Sequence, residues 1–130
     1  MSTRAIQTDR APSPAASYSQ AVQAGDLLQI AGQVGIDPAT GALAGDEVSE
    51  QTRQALDNLV AILEAAGATL RDVIMVRVYL TDRAHFAAMN EVYAGYVGEP
   101  FPARTTVFVG LGEGMLVEID ALAVRTAGAV

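Results

Sequence analysis

Residues 48–80 read VSEQTRQALDNLVAILEAAGATLRDVIMVRVYL, and this stretch decides the fold class. In its first half Val48, Ala55, Leu56, Leu59, Val60 and Leu63 fall on one stripe at helical spacing, which predicts a helix from about Val48 to Ala66. Asp46 or Ser49 is placed to cap its start, and Gly67 suits the left-handed residue that stops it. The second half, Val73–Leu80, is rich in β-branched residues and reads as a central strand. Helix and strand thus share one short stretch, so the fold contains both from the outset.

Working outward, Tyr18 and Val22 stand at strand-like spacing, and Gly25-Asp26 marks a turn before the apolar run Leu27–Ala31. These predict a hairpin, preceded by a lead-in loop over Ala11–Ser17 and an extra strand at Ala5–Gln7. Asp37-Pro38-Ala39-Thr40-Gly41 is a further turn signal. Downstream, Thr81 and Asp82 open a second helix that carries Phe86, Met89, Tyr93 and Val97 on one face and closes at Gly98. Two strands follow, Ala103–Val109 and Leu116–Arg125, with Gly110–Gly114 expected as their turn. The order β-β-α-β-α-β-β describes an α+β domain, a mixed sheet with two helices on one face. The other face also needs a cover, and a neighbouring subunit is the simplest one.

Length and composition narrow the function. At 130 residues the chain makes one domain, residues 1–130, with a real core. Much of its apolar content is Ala and Val, small side chains that remove little area each, which again favours an oligomer. The net charge of −7 and the absence of Lys argue against nucleic acid and anionic membrane surfaces as partners, since both need clustered cations. No apolar run approaches the roughly 20 residues of a membrane span, and the polar start of the chain lacks a signal-peptide core, so a cytoplasmic location is expected. There is no Cys and one His, His85, so thiolate or multi-His metal sites and a cysteine nucleophile are excluded. Proton transfer near neutral pH must then fall to a carboxylate, a Tyr or water.

Chemistry is concentrated in the last two strands. Alternation puts Arg104, Thr106 and Phe108 on one face of the first, and Glu118 and Asp120 together on one face of the second. With Gly110–Gly114 as a hairpin turn, Thr106 lies across from Glu118 and Arg104 across from Asp120, with Glu118 a diagonal neighbour of Arg104. Such a face supports two readings. One is a solvated cross-strand ion pair, the commoner outcome of this pattern. The other is a pocket wall in which Arg104 grips a carboxylate with two parallel hydrogen bonds and Glu118 is the acid/base group. Tyr18 is read first as a strand aromatic. Asn90, an amide inside an apolar stripe, needs a hydrogen-bond partner of its own. Gly32-Gln33-Val34-Gly35 lacks the strand-to-helix setting of a phosphate loop.

Several segments, taken in order, go further: Ala11-Pro12, Tyr18-Ser19-Gln20, Ala31-Gly32-Gln33, Gln54–Leu59, Glu64–Gly67, Asn90–Tyr93, Phe101–Val107 and Val117–Ala121. Through them, from about Ala11 to Arg125, the chain resembles the Rid family of reactive intermediate deaminases, the YjgF-type proteins. The resemblance implies an α+β fold shared with one class of chorismate mutase. It also implies a homotrimer with a central barrel and three clefts between subunits. The implied activity is hydrolysis of 2-imino acids or their enamines, of the 2-aminoacrylate type, to 2-keto acids and ammonia, with no cofactor or metal. The family's carboxylate-binding arginine falls on Arg104, its acid/base glutamate on Glu118, its pocket tyrosine on Tyr18 and its helix asparagine on Asn90. Gly32 takes the place of the glycine whose backbone faces the ligand. Ala31 stands where many members have Ser, and Thr106 where many have Cys. Both alter the pocket wall. Ala16-Ser17 stands where Gly-Pro is common. Two further readings accompany this resemblance: a regulatory trimer that binds 2-keto acids without turnover, and a ribonuclease or translation inhibitor.

Overall fold

The computed structural model describes residues 2–125; the first and the last five residues of the expected domain lie outside the described residues. Six strands form one sheet in the order β1-β2-β3-β6-β4-β5. They are β1 (Thr3–Ile6), β2 (Ala21–Ala24), β3 (Leu27–Val34), β4 (Val73–Leu80), β5 (Ala103–Phe108) and β6 (Val117–Val124), with helices α1 (Val48–Ala65) and α2 (Phe86–Ala94). The expected α+β architecture, a mixed sheet with two helices on one face, is what the chain adopts.

α1 follows its sequence signals closely. The cap is Glu47, between the two expected residues, and the Glu50 carboxylate accepts from its backbone N–H at 3.3 Å. At the other end Gly67 adopts φ of 76°, and the Ala68 N–H reaches back to the Leu63 carbonyl at 2.9 Å. Ala55, Leu56, Leu59, Ile62 and Leu63 are buried against Val76, Val78 and Leu80 of β4 and Val117, Ile119, Ala121 and Ala123 of β6. Alternation on those strands leaves the opposite, open face to Met75, Arg77, Tyr79, Glu118, Asp120 and Leu122.

The last two strands depart from expectation. β5 and β6 do not form a hairpin: β4 lies between them, parallel to β5 and antiparallel to β6. The reason is local. β4 and β5 are joined by a helix packed on one face, which brings the second strand back parallel to the first. An eight-residue apolar strand such as β4 also needs backbone partners on both edges. Residues 110–116 therefore cross the end of β4, where the Thr81 N–H bonds the Leu116 carbonyl at 3.2 Å and the Val109 N–H bonds the Leu80 carbonyl at 2.8 Å.

Other boundaries moved less. A single 3-10 turn, Arg83–His85, capped by the Asp82 carboxylate, precedes α2. α2 stops at Ala94 rather than near Gly98; beyond it the Tyr96 N–H bonds the Tyr93 carbonyl at 2.9 Å and the Tyr96 hydroxyl donates to Asp57 of α1 at 2.6 Å. The extra N-terminal strand is present as β1, one strand further from the centre than β2. Tyr18 lies in the loop before β2 and not on a strand. That loop is held by the buried Gln20 amide, which donates to the carbonyls of Thr8, Ala11 and Pro12.

Candidate functional site

The residues singled out from sequence separate into two groups on opposite faces of the sheet. Arg104 pairs with Val76 in the β4–β5 ladder and so shares the helix-side face. Being on the edge strand, it is not covered by the core and reaches α2 instead. Its Nη1 donates to the Asn90 Oδ1 at 2.7 Å. Its guanidinium carbon lies 4.8 Å from the centre of the Tyr93 ring and 5.6 Å from that of Phe86. Phe86, Asn90 and Tyr93 make one helical stripe, so a single face of α2 orients the arginine through a hydrogen bond and two ring faces. Among the described residues Arg104 forms no ion pair; the two that do form are Arg10–Glu64 and Arg77–Asp120. A cavity of about 400 Å³ opens beside it, lined by Asn90, Tyr93, Ala94, Val97, Phe101, Pro102 and Arg104. Thr106 shares this face two residues on, opposite Val78.

Glu118 belongs to the other face. Its cross-strand partners are Tyr79 on β4 and Val34 on β3. β3 carries one extra residue between Ile30 and Gln33, a β-bulge that breaks its ladder with β6. Ala31 and Gly32 occupy that bulge, and the Ala31 N–H is turned back to the Gln20 carbonyl at 2.9 Å. The Glu118 carboxylate lies directly over Gly32, in space that a Cβ there would occupy. Burial, and then the charge of Asp120, push the Glu118 carboxyl above its ordinary value. Tyr18 is half exposed, and its hydroxyl accepts from the Ala15 N–H at 3.2 Å.

Two expectations are thereby corrected. Asp120 faces Arg77, not Arg104, and the partner Arg104 keeps is Asn90. Arg104 and Glu118 are not diagonal neighbours. They sit two strands apart, roughly 10 Å in the plane of the sheet, with side chains on opposite faces. The structure joins Arg104 to Asn90 and Glu118 to Gly32, and within one chain it does not join the two groups. Tyr93, read as core, is buried as expected and also lays its ring against Arg104; sequence reasoning missed that second contact and the pair Arg77 and Tyr79. Their signals were present: Tyr93 is three residues from Asn90 on the same stripe, and Arg77 and Tyr79 alternate on β4 as Glu118 and Asp120 do on β6.

A six-stranded mixed sheet covered by two helices on one face, with an oriented arginine at its edge and a half-buried glutamate on its open face, defines a class of small α+β proteins with charged half-sites on both faces of one sheet. The family model described as endoribonuclease L-PSP matches residues 8–125. A RutC family protein of Pyrococcus horikoshii is 54% identical over 92% of this chain and 96% of its own length. The 2-iminobutanoate/2-iminopropanoate deaminase of Mus musculus is 42% identical over 94% and 91%. Among solved structures, RidA from an Antarctic Psychrobacter superimposes with a TM-score of 0.90 at 43% identity, over 93% of this chain and 98% of that one. TdcF of E. coli with bound serine gives 0.89 at 37% identity, over 95% and 99%. The chain belongs to the Rid family.

Proposed function

We propose that this protein hydrolyses 2-imino acids and their enamine tautomers to 2-keto acids and ammonia, at sites completed between the subunits of a homotrimer. The observation that carries this reading is Arg104. It is a cation without a carboxylate among the described residues, held by Asn90 and two aromatic rings at the mouth of a cavity, with N–H groups left to grip a small carboxylate. The kinship with a named imine deaminase supports it. Since Glu118 faces away from Arg104 in its own chain, the reading requires Arg104 of one subunit to meet Glu118 of the next. An open sheet face that carries Leu27 at 50% exposure supports burial against a second copy.

In that cleft Arg104 fixes the substrate carboxylate, and backbone N–H groups at Gly32 and Thr106 orient its oxygens beside Ala31. Tyr18 closes the pocket. Glu118, carrying a proton, gives it to the enamine methylene carbon or to the imine nitrogen. The resulting iminium carbon takes up a water, whose proton returns to the carboxylate, and the carbinolamine expels ammonia to leave the keto acid. Imines of this kind already hydrolyse in water, so orientation and one well-placed acid/base group suffice.

Arg104→Ala tests the assignment. Imines generated in situ by an amino-acid oxidase should be hydrolysed by the wild type and left to their spontaneous rate by the variant. Equal rates in the two would overturn the reading. The serine bound to TdcF favours one second reading, a trimer that holds small amino or keto acids without turnover. Saturable binding without accelerated ammonia release would establish it instead. Salt-dependent RNA binding or cleavage would revive the ribonuclease reading, against which the net charge of −7 counts.

A further inference from the structure

Glu118 is one of two carboxylates on the open face, and the second has a setting of its own. Asp120 shares its strand and face, is 8% exposed, and accepts from Arg77 Nε at 2.8 Å and from the Tyr79 hydroxyl at 2.7 Å. Arg77 is the direct cross-strand partner of Asp120, whereas Tyr79 is the cross-strand partner of Glu118. The Tyr79 side chain therefore starts in the row of Glu118 and ends on Asp120. Glu118 itself accepts no hydrogen bond from a described side chain. One carboxylate thus has a donor on each oxygen, and its neighbour lies above Gly32 with no side-chain donor among the described residues.

We infer that, given the deamination reading, these carboxylates divide the labour: Asp120 is a fixed anion held by Arg77 and Tyr79, and Glu118 is the group that carries the proton. Asp120 touches no reacting atom in this scheme and acts as a positioning residue. Asp120 is the carboxylate with charge-assisted donors, the Arg77 guanidinium and the Tyr79 hydroxyl, and is held in place by them. Its field, added to burial, disfavours a second charge on Glu118. Within its own chain the charged and titratable groups facing Glu118 are Arg77 and Tyr79 from β4 and Asp120 from its own strand, β3 carrying none; in the trimer of the deamination reading the neighbouring subunit adds an Arg104, which is unchanged in every variant compared below. The pattern is a common one in acid/base sites, two carboxyl groups separated in role by their surroundings.

The test is a ¹³C titration of the Glu118 carboxyl, assigned by loss of its signal in Glu118→Gln, beside the pH profile of kcat/KM for imine hydrolysis. Asp120→Asn removes the anion and leaves the Arg77 cation uncompensated. Both changes favour ionised Glu118, so its midpoint and the alkaline limb of the profile should fall by about one pH unit. Arg77→Gln removes the cation, and both should rise. Tyr79→Phe keeps the ring and loses one donor to Asp120, so it should move them the same way as Arg77→Gln by less. It also serves as the probe if the charge variants fail to fold. Opposite shifts in the two charge variants cannot come from general loosening. An unmoved midpoint, or shifts of one sign in Asp120→Asn and Arg77→Gln, would overturn the inference. Titrations that behave as described in a wild type that hydrolyses no imine would overturn the deamination reading and leave the division of roles standing.

Discussion

Gly32 is the residue whose missing side chain the open-face half requires. Its backbone angle is ordinary, so its use is close approach: the Glu118 carboxylate fills the space a Cβ would take. The obstacle is the flexible end of a side chain, which can move aside at small cost to the fold. Gly32→Ala should therefore melt within a few degrees of the wild type while kcat/KM falls about 100-fold, the scale set by displacing a reacting group by an ångström. Full activity in a folded variant would show that Glu118 does not work from this position. Arg104 gives the converse lesson. Its face was legible from alternation, but its partner was not. Alternation offers Asp120 and Glu118, and the residue it holds is Asn90, an amide on a helix 14 positions earlier.

At the scale of elements, buried amides join pieces that the sheet ladder leaves unconnected. Gln51 of α1 is fully buried and donates to the carbonyls of Gly45 and Gly114 while accepting from the Leu116 N–H, at 2.8–2.9 Å. It fixes the segment that crosses the end of β4 and so the position at which β6 begins. Asn58 does the same for the turn after β3, donating to the Val34 and Ile36 carbonyls. Gln51→Leu keeps the volume and strands three part-buried backbone groups. It should cost about 2 kcal/mol, seen as a Tm lowered by roughly 5–10 °C at fixed protein concentration. An unchanged Tm would mean that water replaces the amide. The helical stripe read from sequence does not include these residues, and their partners lie in segments distant along the chain.

For the whole molecule, the division of Arg104 and Glu118 between the two faces makes a direct prediction. Arg104→Ala and Glu118→Gln should each be inactive alone. Mixed, unfolded and refolded together, they should recover activity at about one site in four by random assortment, because hybrid interfaces pair an intact arginine with an intact glutamate. A site confined to one chain would recover none. No helix among the described residues is long and apolar enough to cross a membrane.

The sequence by itself determined the α+β class, α1 with its glycine stop, β4 as a central strand, and the face of each strand on which Arg104, Glu118 and Asp120 stand. Each of these depends on periodicity or on a local backbone requirement, which a short window contains. Tertiary structure alone decided that β4 separates β5 from β6, that Arg77 and not Arg104 neutralises Asp120, and that the two halves of the site face opposite ways. Alternation says which side of its own strand a residue occupies. It does not say which strands are neighbours, because that is chosen by the helix that returns β5 parallel to β4 and by the backbone groups of β4 that must find partners on both edges.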